Sequence, residues 1–475
     1  MLRKILGIFL CAFSLPLFAG QVPSRIERTG PSENLGGMPR FHFPPSRLRK
    51  LRNGISLVTM QSAGMSHFIL HVRVLASSVN DSPGLPGVAE ATAKLLVGDN
   101  DALKQDLEDY GATLETSVSY GSYTTEFSVS GPVEAFDYAA GKLFHALTRP
   151  AFTAKNLAEW KLRRTAKLQD QKSSPNYLAD SVLAHLLYED ARENTGPDDE
   201  SLQRMTVADL QKFYQTYYSP CRTSAGVISP VPASGVESRL QKLFSSWKGC
   251  AAADAVKTVD RPLAGKSVHL VDDPQMKQAY LVLGKPAVSR LSLDYAACLV
   301  LNRILGEGPG SRLWPIRQTK GYTYDIHSSL TALKYLHHIS ITAALAPERV
   351  HDVLGLITAE VEALRTSGPT REEVEAAKEA IVGGLALDLE NRDVILGTVM
   401  NQYLYGWAAG HEQQYVLELL AINPRRVQQA AQKYLDTNQM QIIVIGNKKV
   451  LGPLLGRGSS LPVNALFTKR ANEIK

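Results

Sequence analysis

Gly308-Pro309-Gly310-Ser311-Arg312-Leu313-Trp314-Pro315-Ile316-Arg317-Gln318-Thr319-Lys320-Gly321-Tyr322-Thr323-Tyr324 reads as a short helix, Ser311 to Thr319, that passes through Gly321 into a strand beginning at Tyr324. Upstream lie strands at Val268 to Val271 and Ala279 to Leu283 and a helix from Asp294 to Leu305. Downstream the strand runs to Leu330 and is followed by another at His338 to Ala344. The same grammar occurs earlier in the chain. Strands at Gly54 to Val58 and Phe68 to Leu75 precede helices at Leu85 to Val97 and Ala102 to Tyr110, then strands at Thr113 to Val118 and Tyr123 to Ser130. Both copies continue with a helix, Val133 to Leu147 or Arg349 to Thr366, and then a second beginning at Thr153 or Thr370. Thr370 with Glu373 forms a capping box. Each copy closes with a helix and a strand: Val207 to Tyr218 into Ser224 to Ile228, and Pro424 to Leu435 into Gln441 to Ile445.

The offset of about 210 to 220 residues is too long for a solenoid repeat and fits two similar domains. The expected fold is therefore α+β: two homologous domains, each a mostly antiparallel sheet with helices on one face, forming half of a clamshell. The divisions are an N-terminal export signal at 1–20, an extension at 21–44, a first domain at 45–248, an Ala-rich linker at 249–266, a second domain at 267–460 and a tail at 461–475.

Bulk properties exclude several classes. With 475 residues, 44% hydrophobic and 21% charged, the chain is an ordinary globular protein of more than one domain. A net charge of +6, with its basic residues scattered, lacks the clustered footprint of a nucleic-acid binder. Arg3 and Lys4 ahead of the apolar run Ile5 to Ala19 read as a secretory signal, with an uncleaved anchor as the alternative. Cys11 lies inside that run, without the small residues that lipidation would need. The mature chain is expected to be soluble and exported, in a periplasm. Cys221, Cys250 and Cys298 show no metal-ligand spacing. Cys221 and Cys250 could pair in an oxidising compartment, but three scattered thiols are expected to be separate buried residues.

The segment 308–324, together with Gly84-Leu85-Pro86-Gly87-Val88-Ala89-Glu90-Ala91, resembles the insulinase/pitrilysin-like zinc peptidases in their short two-domain form, across nearly the whole mature chain. In active members the first domain carries His-x-x-Glu-His on a helix entered by a Gly-Leu turn, with a further glutamate ligand some way on. Here both histidines are replaced, by Gly87 and Ala91, and the region of the third ligand, near Lys167, offers a cation. Zinc needs three protein ligands and an open position, so no metal is expected in this chain. Glu90 stands at the general-base position with no metal-bound water to activate, and is expected to be a partly exposed helix glutamate.

The resemblance implies that Arg317 and Tyr324 face a zinc across a closed chamber, the tyrosine stabilising an oxyanion and the arginine holding a substrate carbonyl. Tyr322 competes for the second role, but spacing favours Tyr324. Pro315 departs from the pattern: with Ser311 as cap it would cost the helix a hydrogen bond. In some members the zinc and the arginine/tyrosine pair lie on different polypeptides. The expected role is therefore a zinc-free subunit of a heterodimeric exported metallopeptidase, with a homologous zinc-bearing partner and extended peptide substrates that add as strands. A structural or peptide-binding subunit with no part in hydrolysis is the alternative, and an independent enzyme using another site a third reading. No other site has a foothold. His67 and His71 fall on a strand, His185 and Glu189 lack a third partner, and His411-Glu412 has Tyr415 where a second histidine belongs. Nucleophile-elbow, phosphate-loop and dinucleotide motifs are missing.

Overall fold

Period-two burial is clearest in the first half at Thr125–Pro132, where Thr125, Phe127 and Val129 point into the core between half-buried neighbours. This strand belongs to a six-stranded sheet built from β1 (Ser46–Lys50), β2 (Ser56–Gln61), β3 (His67–Val74), β4 (Thr113–Val118), β5 (Thr125–Pro132) and β6 (Thr223–Ser229). Its order is β1-β2-β6-β3-β5-β4, antiparallel except where β2 meets β6. A second sheet contains β7 (Ser267–Asp272), β8 (Ala279–Pro286), β9 (Thr323–Ala332), β10 (His337–Leu345), β11 (Gln441–Gly446) and β12 (Lys469–Arg470), in the order β12-β7-β11-β8-β10-β9. There β7 runs parallel to both β11 and β12, and the remaining pairs are antiparallel.

The computed structural model describes residues 45–118, 123–189, 196–250, 260–263, 265–318, 321–334, 336–408, 410–456 and 469–470. The expected export signal and N-terminal extension, most of the expected linker and most of the tail lie outside the described residues.

Helices cover one face of each sheet, as expected. In the first half, helix Phe136–Thr148 contributes Phe136, Leu143 and Leu147 to a core shared with Phe68, Leu70 and Phe127. What covers the other face was not foreseen. Helix Pro175–Leu187, from the first half, places Leu178, Leu183 and Leu187 against Val271, Val282, Ile443 and Ile445 of the second sheet. Reciprocally, helix Arg392–Tyr405 of the second half places Ile395, Leu396, Val399 and Met400 against Val58, Met60, Ile69 and Ile228 of the first. Each buried aliphatic side chain contributes about 1.5–3 kcal/mol, so this exchange binds the halves strongly. The close approach requires glycine on both sheets. A Cβ at Gly226 of β6 would lie 2.3 Å from the Met400 sulfur, and one at Gly284 of β8 would lie 2.6 Å from a Leu183 methyl.

Three local expectations need correction. Cys221 and Cys250 form a disulfide across a separation of 29 residues, because helix Ala233–Phe244 returns the chain to the turn that precedes β6; Cys298 is a free buried thiol. The helix expected over Leu85 to Val97 starts only at Val88, since Gly87 has φ +95°. It widens to a π turn over Lys94–Gly98. The helix expected from Ser311 spans only Trp314–Gln318. Before it, the Arg312 and Leu313 amides donate to the Ile304 and Leu305 carbonyls, tying the segment to the end of helix Tyr295–Leu305. Pro315 therefore lies in the first turn, where its missing N–H costs nothing.

Candidate functional site

In the first half the helix that would carry a zinc motif is capped from outside. The Asp81 carboxylate accepts from the Gly87 amide at 2.6 Å and the Ala89 amide at 2.7 Å, satisfying two of the donors a helix N-terminus leaves open. One turn on, Glu90 is 8% exposed, buried rather than partly exposed as expected. The Arg164 guanidinium, 4% exposed on helix Ala154–Lys172, donates from Nε to both Glu90 oxygens at 3.1 Å. Its Nη1 donates to Gln171 Oε1 at 2.9 Å. Lys167, the expected intruder, is exposed one turn further along. Nearby, Lys94 donates to the Thr116 carbonyl at 3.0 Å. Burial pulls its ammonium below the ordinary lysine range, against the opposing pull of Asp99 and Glu90.

Zinc does not fit this arrangement. The side chains of Gly87 and Ala91 offer no lone pair, the Asp81 carboxylate is taken up by helix amides, and the Glu90 carboxylate faces a fixed cation. Among the described residues no group of three or more His, Cys, Asp or Glu could hold a metal. The Glu90–Arg164 pair spans 74 positions of sequence, and no local signal links them.

The second-half segment is held differently. Arg312 grips Glu373 in a fork, Nε to Oε1 at 2.8 Å and Nη2 to Oε2 at 2.9 Å, and also donates to the Gly368 carbonyl. Glu373 is the same residue that closes the Thr370 capping box, so the segment is clamped to the start of helix Arg371–Asp388. Sequence reasoning read Arg312 only as part of a pattern. Its partner was legible in the capping box, but the pairing was not.

On that clamp, buried Ile316 anchors the short helix, which packs against β9. Arg317 on the helix is exposed, its guanidinium stacked 5.1 Å from the Trp314 ring centre. Tyr324 is 70% exposed. It also falls out of the strand ladder: Thr323 pairs with Leu345 and Asp325 with Ala344, so Tyr324 is the extra residue of a bulge. Among the described residues neither side chain has a hydrogen-bond or ion-pair partner. Tyr322, the competing tyrosine, is half-buried beneath the Arg349 guanidinium, 4.6 Å from its ring centre.

The histidines weighed as metal ligands from the sequence lie on other elements. His67 is exposed at the start of β3, while buried His71 meets Asp393 of the exchanged helix at 2.8 Å. His185 and Glu189 are both exposed. His411 stacks on Trp407, and Tyr415 joins Tyr295 around the Arg290 guanidinium.

The family described as Peptidase M16 inactive domain matches residues 204–381, which include the whole clamped segment. An uncharacterised zinc protease of Streptomyces coelicolor is 25% identical over 304 residues, 61% of this chain and 63% of that relative's own length. A crystal structure described as a peptidase M16 inactive domain from Pseudomonas fluorescens superposes with a TM-score of 0.77 at 23% identity, over 85% of this chain and 98% of the other. The chain is similar to M16 peptidases in sequence over residues 204–381 and in fold over most of its length. It carries Gly87 and Ala91 where active members have the two histidines of the zinc motif. A protein named non-peptidase homolog, from Helicobacter pylori, is similar to it at 22% identity over 66% of this chain and 73% of its own length.

Proposed function

We propose that this chain is the zinc-free subunit of a heteromeric exported metallopeptidase, and that it lends Arg317 and Tyr324 to the active site of a homologous zinc-bearing partner. One contrast carries the reading. The first-half site is closed by its own Glu90–Arg164 pair, whereas Arg317 and Tyr324 stand on a clamped, bulged segment with no hydrogen-bond or ion-pair partner among the described residues. A phenol aimed at developing negative charge, beside a guanidinium for substrate carbonyls, is what such a partner site would use. The substrates are extended peptides. Export, to a periplasm, is supported by the Cys221–Cys250 disulfide. No described helix is long and apolar enough to cross a membrane.

The test is to isolate the tagged chain from the cells that make it, identify what accompanies it, and assay unstructured peptides with and without a chelator. Co-purification of a chain bearing His-x-x-Glu-His with chelator-sensitive cleavage supports the proposal. A chain recovered alone and inert moves the structural, non-hydrolytic role ahead.

A further inference from the structure

Thr323 is a buried hydroxyl in an irregular piece of sheet, directly before Tyr324. Its Oγ1 lies 2.6 Å from the Asp325 carbonyl oxygen and 2.7 Å from the Ala344 carbonyl oxygen. These carbonyls belong to the two residues that pair across the bulge while Tyr324 is skipped. The hydroxyl can donate to either. It thus bridges the two strands at the point where the ladder is broken.

We infer that Thr323 is a positioning residue for Tyr324, the staple that keeps the bulge and so fixes the direction of the phenol. In a regular ladder each residue takes its turn on alternate faces, and removing the extra residue from a bulge shifts every side chain beyond it to the other face. Ile326 and Leu345, both fully buried, hold the strands on either side. Only the short piece between them is free to change, and within it Thr323 supplies the donor. Without that donor the Asp325 and Ala344 carbonyl oxygens lose the hydroxyl that ties them across the break, which favours re-pairing of the ladder and rotation of Tyr324. Valine has the shape of threonine and lacks the donor. Serine keeps the donor and loses a methyl.

The inference rests on the proposed role of Tyr324 for its catalytic consequence, but not for its geometry, and two readouts separate them. The first is the 19F resonance of 3-fluorotyrosine placed at position 324 of the full-length chain. It is expected to shift or broaden in Thr323→Val and to match the parent in Thr323→Ser; an unchanged resonance in Thr323→Val, or an equal change in both variants, overturns the inference. Should Thr323→Val not fold, Thr323→Ala against Thr323→Ser makes the same comparison with smaller side chains. The second readout is peptide cleavage by the complex with the zinc-bearing partner. A small misplacement of a catalytic group can cost roughly a hundredfold, so Thr323→Val is expected to lower kcat by about ten- to a hundredfold, with KM little changed and Thr323→Ser restoring the rate. A shifted resonance with an unchanged kcat upholds Thr323 as the staple and refutes the use of Tyr324 in the reaction.

Discussion

Glu90 and Arg164 are each costly to bury alone and tolerable only together. Arg164→Met, which strands the carboxylate, is expected to destabilise the fold by about 3–5 kcal/mol, and Glu90→Gln/Arg164→Met to recover most of that loss in urea denaturation. A double variant as unstable as the single one would contradict the pairing. His338 offers a pH test. Its Nδ1 lies 3.2 Å from the Tyr188 hydroxyl, which also accepts from the His337 amide. Burial, with help from neighbouring His337, pushes the imidazole down to about 4. The unfolded chain therefore binds the extra proton first. Stability is full above about pH 6.5 and falls towards pH 4, by at most about 1.4 kcal/mol per pH unit from this group. His338→Gln is expected to flatten that fall in denaturation curves at pH 7.5 and pH 5, and an unchanged slope would remove His338 from the account. At this scale the sequence was only half readable. The loss of ligands at Gly87 and Ala91 could be seen directly, but the burial of Glu90 depends on a partner 74 positions away.

Helix boundaries near the two sites were the least legible elements, because tertiary hydrogen bonds displaced them. Helix Val88–Ala93 starts late because Asp81 caps it and Gly87 turns with φ +95°. A Cβ at Gly87 would stand 2.6 Å from Pro197. Restoring the missing ligands as Gly87→His/Ala91→His is therefore expected to give no stoichiometric zinc in the purified protein. Tight zinc in metal analysis of that variant would show that the first-half site is merely unligated rather than closed. The strands were easier to read. Thr113 to Val118 was expected to its ends, since its period-two pattern is set locally. Segment 308–324 was recognisable as a pattern of residues, yet its clamp through Arg312 and the bulge at Tyr324 arise from contacts with Glu373 and β10. Of the two tyrosines weighed from spacing, Tyr324 is exposed and Tyr322 is covered by Arg349.

The described residues form two similar halves joined by exchanged helices. Their repetition was legible as a common order of elements, whereas helices Pro175–Leu187 and Arg392–Tyr405 were missed because each buries its apolar face on the opposite half. Overfilling the tight contact under either helix, by Gly226→Val or Gly284→Val, is expected to cost about 1–3 kcal/mol in denaturation, and a neutral result would contradict the close packing. Assembly with another chain is the largest scale of the account and bears its central claim. The most direct measurement is kcat of the complex reconstituted from the zinc-bearing partner with this chain, either unaltered or carrying Tyr324→Phe or Arg317→Ala. The account expects assembly to be unchanged and kcat to fall by roughly a hundred- to a thousandfold on loss of the Tyr324 donor, with a fall of the same sign for Arg317→Ala. Full activity from intact complexes of both variants would contradict it.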